Sequence, residues 1–139
     1  KLVFGSVVVA ELWRGIPFFA ISLLAAMQSI SGDLYEAADV DGCTRWNAFR
    51  YITLPSLKDT IILTTLLRTV WEFNSVDLIY SLTGGGPVGK TTTLSILIAN
   101  HATKTSNYGY GSAISVISFL ILSVFALTYL KASKYGTEE

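Results

Sequence analysis

Residues 36–57 read Glu36-Ala37-Ala38-Asp39-Val40-Asp41-Gly42-Cys43-Thr44-Arg45-Trp46-Asn47-Ala48-Phe49-Arg50-Tyr51-Ile52-Thr53-Leu54-Pro55-Ser56-Leu57, a polar island among three apolar stretches. Its local chemistry predicts two short helices joined by a bend. Asp33 and Glu36 stand three apart, as in a capping box, and place negative charge where a helix start presents unpaired N–H groups, so a helix is expected from about Leu34. Gly42 can adopt the left-handed conformation that ends a helix, which Asp41 and Cys43 adopt only at a cost. Trp46, Phe49 and Ile52 then recur at helical spacing. Pro55 interrupts that pattern and pushes Leu54 out of helical geometry. The expected product is a small bent knob, with Ala37 and Ala38 leaving room for close approach from outside.

Working outward, the flanking composition is that of a membrane protein. Hydrophobic residues make up 51% of the 139 and charged residues 14%, against about 25% charged in an ordinary soluble domain. Mean hydropathy is +0.51. A net charge of zero offers no basic surface for nucleic acid, and the single cysteine excludes an internal disulfide or a cysteine-rich metal site. No cofactor is expected. The fold class that follows is all-α, a polytopic membrane helix bundle of about three spans with a short helix in the polar loop.

The first apolar region, 1–30, would reach roughly 43 Å as one helix, beyond the ~30 Å hydrocarbon core. A kink is therefore expected near Gly15 to Pro17, with an exit near Gln28. Glu11 and Arg14 share a helical face, either as interfacial anchors or as polar groups facing a pathway. The second span, 58–82, carries Thr65, Arg68, Thr69, Glu72 and Ser75 or Val76 at steps of three and four, a polar stripe that cannot face lipid. Arg68 and Glu72 form an i, i+4 pair. The stripe is either a seam against a neighbouring helix or a lining of the solute pathway. Asn74 and Asp77 lie toward its far end, near the aromatic rings of Trp71 and Phe73.

Residues 83–110 form a connection with a Gly84-Gly85-Gly86-Pro87 turn and apolar spacing over 91–100 for a short interfacial helix. The last span, 111–130, has no charge, and Gly111, Ser112, Ala113, Ser115 and Ser118 would permit close helix packing. Tyr108, Tyr110, Tyr129 and Tyr135 are expected as interfacial anchors, with Lys131 and Lys134 marking the end and 131–139 a tail. The loop at 31–57 with Lys58, taken together with the tail, holds five Lys/Arg, against Lys90 and Lys104 in the opposite connection. That places the polar island in the cytoplasm.

Gly84 to Thr91 also satisfies the phosphate-loop spacing, behind a Val-Asp-Leu-Ile-Tyr-Ser-Leu run that could pass for a strand. Such a loop works only on a parallel sheet with an Asp ending another strand, and no later apolar run ends in one. A soluble nucleotide-binding protein is thus the remote alternative. A membrane enzyme would need a nucleophile, a metal cluster or an acid/base pair, and beyond Arg68 and Glu72 the spans supply none. His101, without ligand-spaced neighbours, is expected as a solvated loop residue.

Glu36-Ala37-Ala38, Asp41-Gly42, Phe49, Ile52, Leu54-Pro55 and Leu57 resemble the "EAA" cytoplasmic loop of permease subunits of binding-protein-dependent ABC importers, with Cys43 in place of the usual Ala. Leu82-Thr83-Gly84-Gly85-Gly86-Pro87 with Thr91 to Thr93, and Tyr108-Gly109-Tyr110, look like the carbohydrate-uptake branch. The matches run from Trp13 to about Leu130. Because the chain begins at Lys1, inside an apolar segment and without an initiator Met, it is expected to be about the C-terminal half of a family member. The resemblance implies a multi-pass inner-membrane permease of a bacterium or archaeon, importing a sugar or sugar-like compound, with a non-sugar solute as the alternative. The implied partners are cytoplasmic ATP-binding subunits that hydrolyse ATP, a second permease subunit, a periplasmic or lipid-anchored solute-binding protein and membrane lipid. It implies ATPase docking by Glu36, Ala37, Ala38, Asp41, Gly42, Phe49, Leu54 and Pro55. Glu11, Arg14, Arg68, Glu72, Asn74 and Asp77 remain candidates for the pathway or a helix interface.

Overall fold

A computed structural model describes residues 2–133 and 135. Lys1, Lys134 and the tail beyond Tyr135 lie outside the described residues, so the readings attached to them are not addressed by it. The described chain is helical without a strand. In order, α1 spans Leu2–Gln28, α2 Gly32–Val40, α3 Arg45–Ala48, a π-helical segment Phe49–Thr53, α4 Leu54–Ser56, α5 Lys58–Asn74, α6 Asp77–Thr83, α7 Leu94–Thr103 and α8 Tyr108–Ala132.

α1 runs as one continuous helix through Gly15 and Pro17. Pro17 removes one backbone donor, a loss that membrane-spanning helices tolerate. Gly15 serves a different purpose, described below. α1 and α8 are each long and apolar enough to cross a membrane. The middle stretch is two helices instead of the single span expected over 58–82. Ser75 takes extended backbone (φ −71°, ψ 126°), and its N–H bonds back to Glu72 O at 3.2 Å, tightening the last turn of α5. Asn74 donates its side-chain amide to Val70 O at 2.8 Å, a local competition that weakens helix continuation. Asp77 then lies in the first turn of α6, where its charge suits the helix dipole.

The packing is inverted relative to a soluble domain. Large apolar side chains such as Trp13, Phe119, Leu120 and Leu127 face outward, while Thr53, Thr64, Ser95, Ser118, Gly15 and Gly111 are buried. Small and hydroxyl-bearing residues let helix backbones approach closely, which is how helices associate when the surroundings are as apolar as their side chains. α5 is the central element: it packs on α1, α7 and α8. α7 lies along the start of α8 with Ile96 fully buried against the rest of the chain. It extends to Thr103, which places His101 on a helix with its ring 4.6 Å from that of Tyr110 instead of in a solvated loop.

Candidate functional site

The first helix of the polar loop begins at Gly32, two residues before the expected Leu34. Ser31, not Asp33, is the cap: its hydroxyl accepts from Asp33 N at 3.3 Å, and Asp33 sits in the first turn. α2 ends in a Schellman arrangement, with Cys43 N bonding Ala38 O at 2.8 Å and Gly42 N bonding Asp39 O at 3.1 Å. Gly42 has φ +74°, and the space around its α-carbon is open. Thr44 caps the second arm, its hydroxyl accepting from Asn47 N at 3.4 Å.

The second arm departs from expectation at Pro55. Leu54 is helical (φ −65°, ψ −43°) and its N–H reaches Phe49 O, a five-residue π turn, after which α4 carries Pro55 in its first turn. A proline there gives up an N–H that has no helical partner. The chain therefore stays helical from Arg45 to Ser56 and does not stop at Leu54. Of the loop's candidate docking residues, Glu36, Ala37, Asp41, Gly42, Phe49, Leu54 and Pro55 are exposed and Ala38 is half-buried. α2 and α3 contain no buried residue.

The second set of candidates converges between α1, α5 and α6. Arg14 Nη2 lies 3.1 Å from Glu11 Oε2 and 3.4 Å from Glu72 Oε1, and Arg14 Nη1 lies 3.8 Å from Asp77 Oδ2. Arg14 also donates to Ser75 Oγ at 2.8 Å, across the α5–α6 break. Arg68 pairs with Glu72 on its own helix and reaches Glu11 Oε2 at 3.8 Å, while donating to the Glu11 carbonyl at 3.4 Å. Two intrahelical pairs read from spacing are thus one interhelical cluster. Both Glu11 carboxylate oxygens are shut off from solvent and take no hydrogen bond, so their compensation comes from the two guanidinium charges. Gly15 makes this possible: a Cβ there would stand 3.1 Å from Arg68 Nη2 and 3.2 Å from its Nε, so the missing side chain is the slot in which the guanidinium lies against α1.

Asn74 does not join the cluster, since its amide is turned back to Val70 O. It lines a cavity of about 320 Å³ with Arg14, Arg68, Trp71, Ser75 and Asp77. Phe73 borders a different hollow, with Phe19 and Thr65, and the Trp71 ring packs at a 55° tilt against Phe18 with centroids 5.1 Å apart, so the two rings do not face one cavity. Gly15 and Ser75 are the members that sequence reasoning did not assign to the cluster. Ser75 stood on the right helical face as an alternative to Val76; Gly15 had no signal apart from its neighbour Pro17.

The Gly84–Thr91 loop is not shaped for phosphate. The run before it is helix α6, and no parallel sheet exists among the described residues. Its amides are engaged internally: Gly85 N bonds Thr83 Oγ1 at 3.3 Å, Gly86 N bonds Thr83 O at 2.8 Å and Thr91 N bonds Gly85 O at 3.4 Å. Thr91 and Thr92 hydroxyls close the loop by donating to Gly86 O and Gly85 O at 2.8 and 3.0 Å. Amides committed this way cannot cradle an anion.

Outward-facing apolar helices of membrane length, with charges sequestered between them and an exposed polar bend, are the features of an integral membrane protein. The chain belongs to the family described as binding-protein-dependent transport system inner membrane component, which it matches over residues 1–133. It is 43% identical over 132 residues to the trehalose/maltose transport system permease protein of Thermococcus litoralis, covering 95% of this chain and 44% of that protein. It is 38% identical to the sulfoquinovosyl glycerol transport system permease protein of Agrobacterium fabrum, over 92% of this chain and 42% of the relative. A crystal structure of a bacterial ABC transporter involved in the import of the acidic polysaccharide alginate superposes with a TM-score of 0.70 at 26% identity, over 85% of this chain and 42% of that one. The chain thus spans less than half the length of the relatives it matches.

Proposed function

We propose that this chain is the part of a sugar-importer permease that converts movement of cytoplasmic ATP-binding subunits into movement of membrane helices. The observation that carries the reading is the bend at 31–57: two capped helical arms joined at Gly42, whose helices α2 and α3 contain no buried residue, set between α1 and α5. A surface so well ordered and so little buried is suited to contact from outside. In this reading Glu36, Ala37, Ala38, Asp41, Gly42, Phe49, Leu54 and Pro55 form the docking surface for an ATPase subunit. ATP hydrolysis belongs to that partner, and the loop faces the cytoplasm of a multi-pass inner-membrane protein. The relatives named above for trehalose, maltose and a sulfoquinovosyl glycoside support a sugar as the cargo. A solute-binding protein and a second permease subunit complete the assembly.

The test is Gly42→Val in the full-length permease, assembled with its ATPase subunits and assayed with radiolabelled trehalose and maltose. A β-branched residue at φ +74° is strained by about 1–2 kcal/mol, enough to unwind the Schellman turn. Uptake should drop about tenfold while the protein remains in the membrane and the ATPase continues to turn over. Wild-type uptake by this variant would refute the lever.

A further inference from the structure

The bend at 31–57 has two arms and a glycine hinge, and neither α2 nor α3 places a fully buried residue against the other arm. A Cβ at the hinge glycine would meet open space. A side-chain hydrogen bond crosses the bend. Tyr35 Oη, in α2, lies 2.7 Å from Thr53 Oγ1, at the end of the π-helical segment, with 18 residues of chain between them. Thr53 is 5% exposed in a loop whose other members are mostly in solvent. A buried hydroxyl needs a partner, and here the phenol of the opposite arm is that partner. The π turn matters to the placement, because the Leu54 N–H bonds to Phe49 O and not one residue later, which widens this turn and sets the direction of Thr53.

We propose that Tyr35 is a positioning residue whose hydroxyl, by holding Thr53, locks the two arms at one angle and so makes the bend a stiff lever. The inference rests on the reading of the loop as the ATPase-docking element. Without the brace, motion imposed on α2 is absorbed at Gly42 and does not reach α4 and α5. Removing one net hydrogen bond from such an equilibrium shifts it about three- to tenfold.

The test uses the full-length permease with its ATPase subunits in nanodiscs. In a Cys43→Ser background with the remaining cysteines replaced, spin labels at positions 40 and 59 report the distance between the first arm and α5. In the parent, Cys43 carries a benzophenone maleimide that captures whatever protein touches the bend. Wild type and Thr53→Ser should give one narrow distance distribution, and Tyr35→Phe and Thr53→Val one at least twofold broader. The double variant should be no broader than either single, and cross-linking to the ATPase should fall about three- to tenfold in the same variants, with Thr53→Ser restoring it. An unchanged width in Tyr35→Phe, or a double variant worse than both singles, would overturn the brace. A wild-type protein that forms no cross-link to the ATPase would overturn the docking reading, while the distance widths still decide the brace.

Discussion

Arg68 shows how much one side chain can hold together. Its guanidinium contacts Glu72 on its own helix and both the carboxylate and the carbonyl of Glu11 on another, lying in the slot left by Gly15. Arg68→Ala leaves Arg14 alone to compensate Glu11 and Glu72, and because Glu72 retains partial exposure the loss should be about 2 kcal/mol, smaller than for a fully buried pair. Arg68→Lys keeps the charge but not the planar fork that fits flat against α1, and should lose about 1 kcal/mol. Thermal unfolding of the purified full-length permease in detergent ranks the two; equal stability of Arg68→Ala and wild type would show that the cluster does not hold α1 to α5. The pairs Glu11–Arg14 and Arg68–Glu72 were legible in the sequence because both follow from helical spacing alone. Their fusion was not, since it depends on which faces of α1 and α5 meet, and Gly15 was legible only as a breaker because its role is to be absent beside a residue 53 positions away.

At the scale of elements, α7 and the second arm of the bend are the informative cases. α7 is held by Ile96, fully buried, and by Ser95, whose hydroxyl donates to the Phe73 carbonyl at the end of α5. Ile96→Ala should cost about 2–5 kcal/mol and Ile96→Val about 1 kcal/mol, read as accelerated amide exchange along 94–103; protection equal to wild type in the alanine variant would place α7 outside the core. The existence of α7 was readable from Leu94, Ile96, Leu97 and Ile98. Its burial was not, because single-sequence periodicity does not distinguish a helix facing lipid from one facing protein. The second arm departs from expectation for a local reason: a π turn immediately before Pro55 displaces the hydrogen-bond register and leaves the proline at a position that asks for no donor. The same blindness hid the break at Ser75, where a serine and an asparagine end α5 through side-chain contacts instead of through Gly or Pro.

Across the whole molecule, the outward display of leucine, phenylalanine and valine along α1 and α8 was the most legible feature, since it needs only composition and length. The proposed orientation makes a direct prediction. Cys43, half-buried beside the hinge, should react with a membrane-impermeant maleimide in inside-out vesicles of cells expressing the full-length protein and stay unlabelled in intact cells. Rapid labelling from outside intact cells would invert the topology and remove the docking surface from the ATPase side.

The wedge formed by α7 carries a mechanical corollary. It fastens the end of α5 at Phe73 to the beginning of α8, where Gly111 lies against the Ile98 carbonyl, and from there a hollow of about 500 Å³ opens between α5 and α8 toward Ser123 and Ala126. α5 and α8 are thus joined like the legs of a pair of dividers. In the proposed lever, motion entering α5 from the bend at Lys58 therefore reaches α8 through α7 as well as through the direct packing of the two helices.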